Sequence, residues 1–392
     1  MTLDAARPRT VAGAGTALLL ATVLTACSSS GGDTNRTGAS AGAKTATVTI
    51  SASKGCALDT TSFAAGGITF KITNEDATAV SEVELLDGEQ IIGEKENLSP
   101  GLSGQFAVRI DAGTYTVYCP GANPERSTIT VTGKAAAVDT NIATLLSTAV
   151  AEYKVYVDRQ VGYLLDAVKV LDAALHGTDL AAAQKAYKVG RPFYEKIEPV
   201  AETFVDGKQN LDADIDAREG DVPASQWFGF HRIEKGLFAD NSLSGLISYG
   251  DKLVTDVTTL KTKTAELTYK APDLANGAQE LLDEVASSKI TGEEERYSHI
   301  DILDMANNVE GSEQAFADLS PALKIIDAGL EGTITSAFNS LTTLLNNYRT
   351  GSDASGYVLY TKLNDTDRRA LAAAVKSVQE PLSQVASKVA NA

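Results

Sequence analysis

The sequence predicts a multidomain chain, an all-β Greek-key sandwich followed by an all-α helix bundle. Three observations carry this expectation. Between Thr45 and Thr132, apolar and polar residues alternate in short runs, the period of half-buried strands. After Gly133 the apolar spacing changes to three or four residues and stays so to the C-terminus, the period of amphipathic helices. The 392 residues, 43% of them hydrophobic, are too many for one small domain and enough to fill two cores.

The segments follow in chain order. Residues 1–26 read as a lipoprotein signal peptide: Arg7 and Arg9 precede the apolar run Val11–Leu24, which has the length of a signal core and is short for a bilayer span. Leu24-Thr25-Ala26-Cys27 resembles a bacterial lipobox, making Cys27 the lipid-bearing residue and the mature chain an extracytoplasmic protein. It would be anchored to the outer face of the cytoplasmic membrane or be periplasmic. Residues 27–43, rich in Ser, Gly and Thr, read as a flexible tether.

Residues 44–132 form the predicted sandwich. Strands are expected at Thr47–Ile50, Gly67–Ile72, Val83–Leu85, Gln105–Ile110, Tyr115–Tyr118 and Ser127–Val131, with turns at Gly66-Gly67, Asp87-Gly88, Pro100-Gly101 and Ala112-Gly113. Cys56 and Cys119 admit two readings. Outside the cytoplasm a pair defaults to a disulfide; alternatively both thiolates join Glu84, Glu94 or Glu96 around a metal ion. Blue copper is excluded, because residues 45–132 contain neither His nor Met.

Residues 139–392 form the predicted bundle. Ile142, Leu145, Ala149, Tyr153, Val157, Val161, Leu164, Val168, Leu171 and Leu175 lie on one face of a long helix that His176-Gly177 ends. Thr178 opens the next helix, and a helical segment carries Glu195 and Glu198. An acidic loop over Asp206–Asp221 comes next, then helices from about Pro223, Ser242, Pro272, Ser298, Pro321 and Thr366.

Charge limits the partners. Lys and Arg number 34 against 51 Asp and Glu, a formal net charge of -17. Such a surface cannot neutralise a phosphate backbone, so no nucleic acid is expected, and cations are favoured. With three His and two Met, a His-rich or Met-rich site is excluded.

The strongest constellation is Gly229-Phe230-His231-Arg232-Ile233-Glu234. His231 and Glu234 stand at i and i+3, so imidazole and carboxylate leave one helix face together and can share a metal ion. The bland alternative is a half-buried histidine beside a solvated glutamate. Glu195, Glu198 and Glu202 also share one helix face, where like charges repel and a bound cation would remove the cost. The competing picture is a solvated acidic stripe relieved by Arg191 and Lys196.

Other candidates carry less. Ser298 and Asp301 fit a capping box, though Asp301 or Asp304 can also complete a metal site. His176 suits the C-terminal end of its helix dipole. Asp212–Asp216 begins like a calcium loop but has Ala217 and Pro223 where Gly and Glu are required. Lys235 stands where an inverted zinc-protease motif needs its second His, and no Gly-x-Ser-x-Gly elbow lies beside a usable His, so hydrolysis is not expected.

Taken together, these segments resemble the EfeO-type components of bacterial iron-uptake systems, which join a cupredoxin-like domain to an imelysin-like, peptidase-named helical domain. In the sandwich the resemblance rests on Gly55-Cys56, Phe70–Asn74, Glu84–Gly88, Glu94–Gly101 and Gly113–Cys119. In the bundle it rests on Tyr194–Glu202, Asp214–Glu219, Gly229–Glu234, Tyr297–Asp301 and Asn308–Glu313. It implies an iron-handling protein that passes ions to a membrane permease, alongside a haem peroxidase of the same system; with the second histidine of a zinc protease missing, the expectation is a non-enzymatic protein that binds Fe(II) or Fe(III). The resemblance maps the bundle site onto His231 and Glu234 with Glu195, and Glu198 next; together with the residues' own chemistry, the expected site is His231 and Glu234 with one or two of Glu195, Glu198 and Asp301. A second site, for a metal such as copper or zinc, is implied at Cys56, Cys119, Glu84, Glu94 and Glu96. The rivals are an extracytoplasmic metallopeptidase and a polysaccharide- or haem-binding lipoprotein.

Overall fold

In the computed structural model, residues 44–88, 90–206, 209–351 and 356–392 are described. The leader, Cys27 and the tether lie outside the described residues. Nine strands come first: β1 (Thr45–Ser51), β2 (Gly55–Leu58), β3 (Ser62–Ala64), β4 (Gly66–Asn74), β5 (Val83–Asp87), β6 (Gln90–Lys95), β7 (Ser103–Ile110), β8 (Gly113–Tyr118) and β9 (Arg126–Thr132). They make two sheets, ordered β2-β1-β4-β7 and β3-β9-β8-β5-β6. β1 runs parallel to β4 and β3 to β9; the other pairs are antiparallel. Alternation puts Val48, Ile50, Ile68, Phe70 and Ile72 of one sheet against Val83, Leu85, Val117, Ile129 and Val131 of the other. Phe70 stacks on Phe106 at 4.9 Å.

Six of these strands coincide with the periodic runs. β2 and β3 are short, and β6 is broken by Gly93 between Ile92 and Glu94, so none shows alternation long enough to read. Asn74, fully buried, ties the ends of this region together: its amide donates to the carbonyls of Ala77, Val80 and Leu98. The segments bearing Glu82 and Glu96 are thereby held side by side.

The helices are α1 (Thr140–Leu175), α2 (Leu180–Glu195), α3 (Glu198–Glu202), α4 (Leu211–Asp216), α5 (Gly229–Glu234), α6 (Ile247–Glu266), α7 (Ala271–Ser287), α8 (Asp301–Ile326), α9 (Ala328–Asn346), α10 (Asp365–Leu382) and α11 (Val385–Ala390). α1 packs against α2, α6 and α8, whereas α8 also packs against α7 and α9, and α10 against α7 and α9. The long helix α8 is therefore shared by two helix groups. Among the described residues, no helix is long and apolar enough to cross a membrane.

Local chemistry departs from the expected boundaries in several places: the expected acidic loop over Asp206–Asp221 holds helix α4, and α6 starts at Ile247 and not at Ser242. α2 is capped by Asp179, whose carboxylate accepts the Ala182 N–H, and it stops at Glu195. Pro199 then sits in the first turn of the separate helix α3, so Glu195 does not share a continuous helix with Glu198 and Glu202. No helix starts at Pro223; α5 begins at Gly229 and runs on into a π-turn over Lys235–Ala239. Pro321 lies inside α8, where buried Leu319, Ala322 and Leu323 carry the helix past one missing N–H bond. The break comes at Asp327, which leaves helical geometry and caps α9 by accepting the Leu330 N–H.

Sandwich and bundle form a single compact unit. The Asn276 side chain pairs with both backbone groups of Ala107, donating at 2.9 Å and accepting at 3.3 Å. Lys95 reaches Asp283 at 2.7 Å, Asn97 donates to Glu284 at 2.8 Å, and Arg109 donates to the Ala390 carbonyl at 2.8 Å. This seam places the acidic end of β6 over α3 and α7.

Candidate metal centre

The centre is assembled around the start of α5. Gly229 has φ +75°, and a Cβ there would lie 2.0 Å from the Ile215 carbonyl oxygen, so only glycine lets α5 start against the end of α4. Trp227 locks the approach by donating to the Ala217 carbonyl at 2.8 Å. Two residues later His231 points inward, 2% exposed.

The two imidazole nitrogens have different neighbours. Nδ1 lies 3.3 Å from Glu234 Oε2, and the other Glu234 oxygen accepts the N–H groups of Tyr297 and Ser298, each at 2.7 Å. Glu234 thus fixes both the ring and the segment before α8. Nε2 lies 3.5 Å from Asp216 Oδ1 and 3.4 Å from Glu294 Oε1. His231, Asp216 and Glu294 are all buried and bring ligand-type atoms within 4.8 Å of one another, close enough to hold one ion.

Around them lies a buried lattice of charge. Arg191 is fully buried; it pairs with Asp216 and Glu195, donates to Asp304 at 3.2 Å, and lies 2.9 Å from Glu295. Lys289, also fully buried, reaches Glu195 at 2.9 Å and Glu198 at 2.7 Å. Both cations face Glu294, at 3.4 and 3.8 Å. Glu195, Glu198, Asp216, Glu234, Glu294, Glu295, Asp301 and Asp304 are buried here, against the cations Arg191, Lys289 and His231. Carboxylates outnumber cations, and desolvating each ion costs several kcal/mol unless it is paired.

The titration shifts express that imbalance. Burial would lower the His231 pKa, yet Asp216, Glu234 and Glu294 hold it well above the usual imidazole value. Burial opposes ionisation of Glu294, but Lys289, His231 and Arg218 keep it well below the carboxylate range. For Asp304 burial prevails, reinforced by Glu195, and its pKa rises well above normal despite Arg191. Burial also raises Glu198, against the pull of Lys289.

The buried lattice opens into a cleft of about 190 Å³ where the sandwich meets the bundle. Glu82 and Glu96 line it from the sandwich, Glu198, Glu202 and Asp212 from the bundle, and Asp216 and Glu294 reach it from the imidazole side. Glu198, Glu202 and Asp212 also bring oxygens within 4.8 Å of one another. Arg218 is the cation among the described lining residues, 3.0 Å from Glu294.

The expected ligands separate in space. His231 and Glu234 do meet. Glu195 belongs to the same lattice, but its oxygens face Arg191 and Lys289; Glu198 faces Lys289 and the cleft. Asp301, fully buried, accepts the Glu295 N–H at 3.1 Å and does not cap α8 with Ser298, whose hydroxyl instead donates to the Glu295 carboxylate. The acidic-stripe alternative gives way too, since Glu195 and Glu198 are buried and Lys196 pairs with Glu310.

The sandwich site is corrected. Cys56 and Cys119 form a disulfide in the sandwich core, so neither sulfur is a thiolate able to bind copper or zinc. Glu84 stands opposite Glu94 and Tyr118 in its sheet, and Glu94 and Glu96 turn toward the bundle. Among the described residues, no ion-holding set contains a cysteine.

Sequence reasoning missed Asp216, Glu294 and Glu295 as neighbours of the imidazole and Lys289 as a counter-charge of the carboxylates; Arg191 is expected beside Glu195, and it reaches Asp216, Glu295 and Asp304 as well. The available signals were the Glu293-Glu294-Glu295 run just before Ser298 and the i, i+4 pair Asp212 and Asp216.

Comparison with known proteins agrees with this architecture. Residues 149–385 match the family model described as imelysin, and residues 16–131 match that of the cupredoxin-like domain. The chain is 36% identical over 338 residues to a protein of Escherichia coli O157:H7 named iron uptake system component EfeO, covering 85% of this chain and 88% of that protein. Proteins of the same name from Escherichia coli K12 and Shigella flexneri match with the same identity and coverage. With both domain types in this order, and with that identity over most of its length, the chain belongs to the EfeO family.

Proposed function

We propose that the chain is an iron-binding component of an iron uptake system, taking iron as a hard cation into the acidic cleft and giving it up to a membrane permease. The observation that carries this is the convergence of His231 Nε2, Asp216 and Glu294 in a buried lattice with more carboxylates than cations. Carboxylate oxygens with a single imidazole suit iron or manganese better than copper.

In the proposed cycle, Glu82, Glu96, Glu198, Glu202 and Asp212 draw the cation into the cleft. Its arrival at Nε2 releases the proton that His231 holds so firmly, because a ligating imidazole must be neutral there. Glu234 keeps Nδ1 in place while this happens, the role of a carboxylate behind a metal-binding histidine. Arg191 and Lys289 neutralise part of the lattice, so the cation meets a moderate charge and can leave again.

The chain acts by binding, not hydrolysis: Lys235, where a protease would need a second histidine, is paired with Glu219. The surroundings are proposed in the same way: a sandwich at 44–132 and a bundle at 139–392, lipid attachment at Cys27 outside the cytoplasm, and work alongside a permease and a haem peroxidase.

Iron titration into the full chain and its His231→Ala and Asp216→Asn variants tests this function. Both variants are expected to bind at least about tenfold more weakly. Wild-type affinity in both would refute it.

A further inference from the structure

A separate set of carboxylates joins the two halves of the molecule. Glu94 on β6, Glu202 at the end of α3 and Glu280 on α7 each bring an oxygen within 4.8 Å of the others. Lys95, the neighbour of Glu94 on β6, is committed elsewhere: it gives its ammonium to Asp283 and to the Glu96 carbonyl, both at 2.7 Å. Among the described residues, none of the three carboxylates has a hydrogen-bond donor or an ion-pair partner. Glu94 is the telling member, 6% exposed and unpartnered, with its carboxylate directed at the other two.

The surroundings suit a ligand better than empty packing. Glu94 and Glu280 line a cavity of about 330 Å³, together with Tyr153, Tyr269 and Asn276. The Tyr269 hydroxyl is buried with no hydrogen-bond partner among the described residues. Tyr153 and Tyr269 meet edge to face at 5.5 Å. A buried carboxylate facing two others, with no ion pair of its own among the described residues, asks either for protons or for an ion.

We propose that Glu94, Glu202 and Glu280 form a second hard-cation site shared between sandwich and bundle. Oxygen ligands contributed by three segments fit a divalent or trivalent ion such as Fe(II), Fe(III) or Mn(II). Glu202 also belongs to the Glu198–Glu202–Asp212 set that lines the cleft, so rotation of one side chain links the two locations. The site therefore stages cargo at the seam between the halves, which rests on the cleft's cargo being a hard cation.

Terbium(III) is a suitable probe, since tyrosines beside a site sensitise its luminescence. Titrations of the full chain compare wild type with Glu94→Gln, Glu280→Gln, Tyr153→Phe and Asp216→Asn. Wild type is expected to show two classes of site. Glu280→Gln and Glu94→Gln should lose one class, with at least about tenfold weaker binding there. Tyr153→Phe should dim that class without removing it. Asp216→Asn should remove the other class and leave this one.

The Gln variants keep the side-chain volume, and their unfolding transitions establish that they fold. Wild-type stoichiometry and affinity in both folded Gln variants would overturn the seam site and show the cluster holds protons instead. Undiminished binding in Asp216→Asn would overturn the cleft assignment alone.

Discussion

The sandwich and the bundle treat buried polarity in opposite ways. The sandwich interior is apolar apart from the hydrogen-bonded Asn74 and is closed by Cys56–Cys119, and its glutamates Glu82, Glu94 and Glu96 lie on the side that meets the bundle. The bundle places Arg191, Lys289 and His231 among eight buried carboxylates at its centre. An ordinary helix bundle gains stability from the first arrangement and loses it with the second. In the proposed function that interior charge serves the cargo, and the sandwich supplies a scaffold and an acidic lip.

Removing one cation from the bundle should break this contrast most sharply. Arg191→Met removes the guanidinium that Asp216, Glu195 and Asp304 share, and about 3–5 kcal/mol of stability should be lost by chemical denaturation. Replacing both cysteines by alanine should cost the sandwich about 2–4 kcal/mol while leaving iron affinity in the cleft unchanged. A loss of iron binding in that variant would reunite the disulfide with the metal site.

Saturating iron supplies the next effect. At about one hundred times its dissociation constant it should stabilise the wild-type chain by about 2.7 kcal/mol in thermal unfolding, and His231→Ala should lose most of that gain. Glu234→Gln keeps the shape but weakens the hold on Nδ1, so affinity should fall about 10- to 100-fold with little change in fold.

The smallest expected effect distinguishes an isolated buried acid from the lattice. Burial raises Asp256 from 3.8 to about 6, despite its hydrogen bond from Lys252. Between those values the folded chain binds more protons at this residue than the unfolded one, so stability falls as pH rises through that window and levels above it. Asp256→Asn should flatten this part of the stability profile and leave iron binding intact.

Much of the fold was legible because period and punctuation agree with burial. The six expected alternating runs are strands, and the apolar face from Ile142 to Leu175 is α1. β2, β3 and β6 are too short or too interrupted to carry a period, and Pro321 suggested a start where core packing carries α8 through. At the centre, the His231–Glu234 pair was legible because helix geometry alone joins i and i+3. Asp216 and Glu294 were not, because tertiary packing brings α4 and the segment before α8 to the same imidazole nitrogen. Arg191 and Lys289 ran against expectation, since such residues are seldom fully buried unless paired. The sequence left Cys56 and Cys119 between two chemistries, and only their pairing in the core chose between them.

The most direct test of the cleft is anomalous scattering at the iron edge from crystals of the full chain soaked in iron. A peak within coordination distance of His231 Nε2, Asp216 and Glu294 is the predicted result. Iron bound elsewhere, with His231 Nε2 still facing only its two carboxylates, would contradict the assignment.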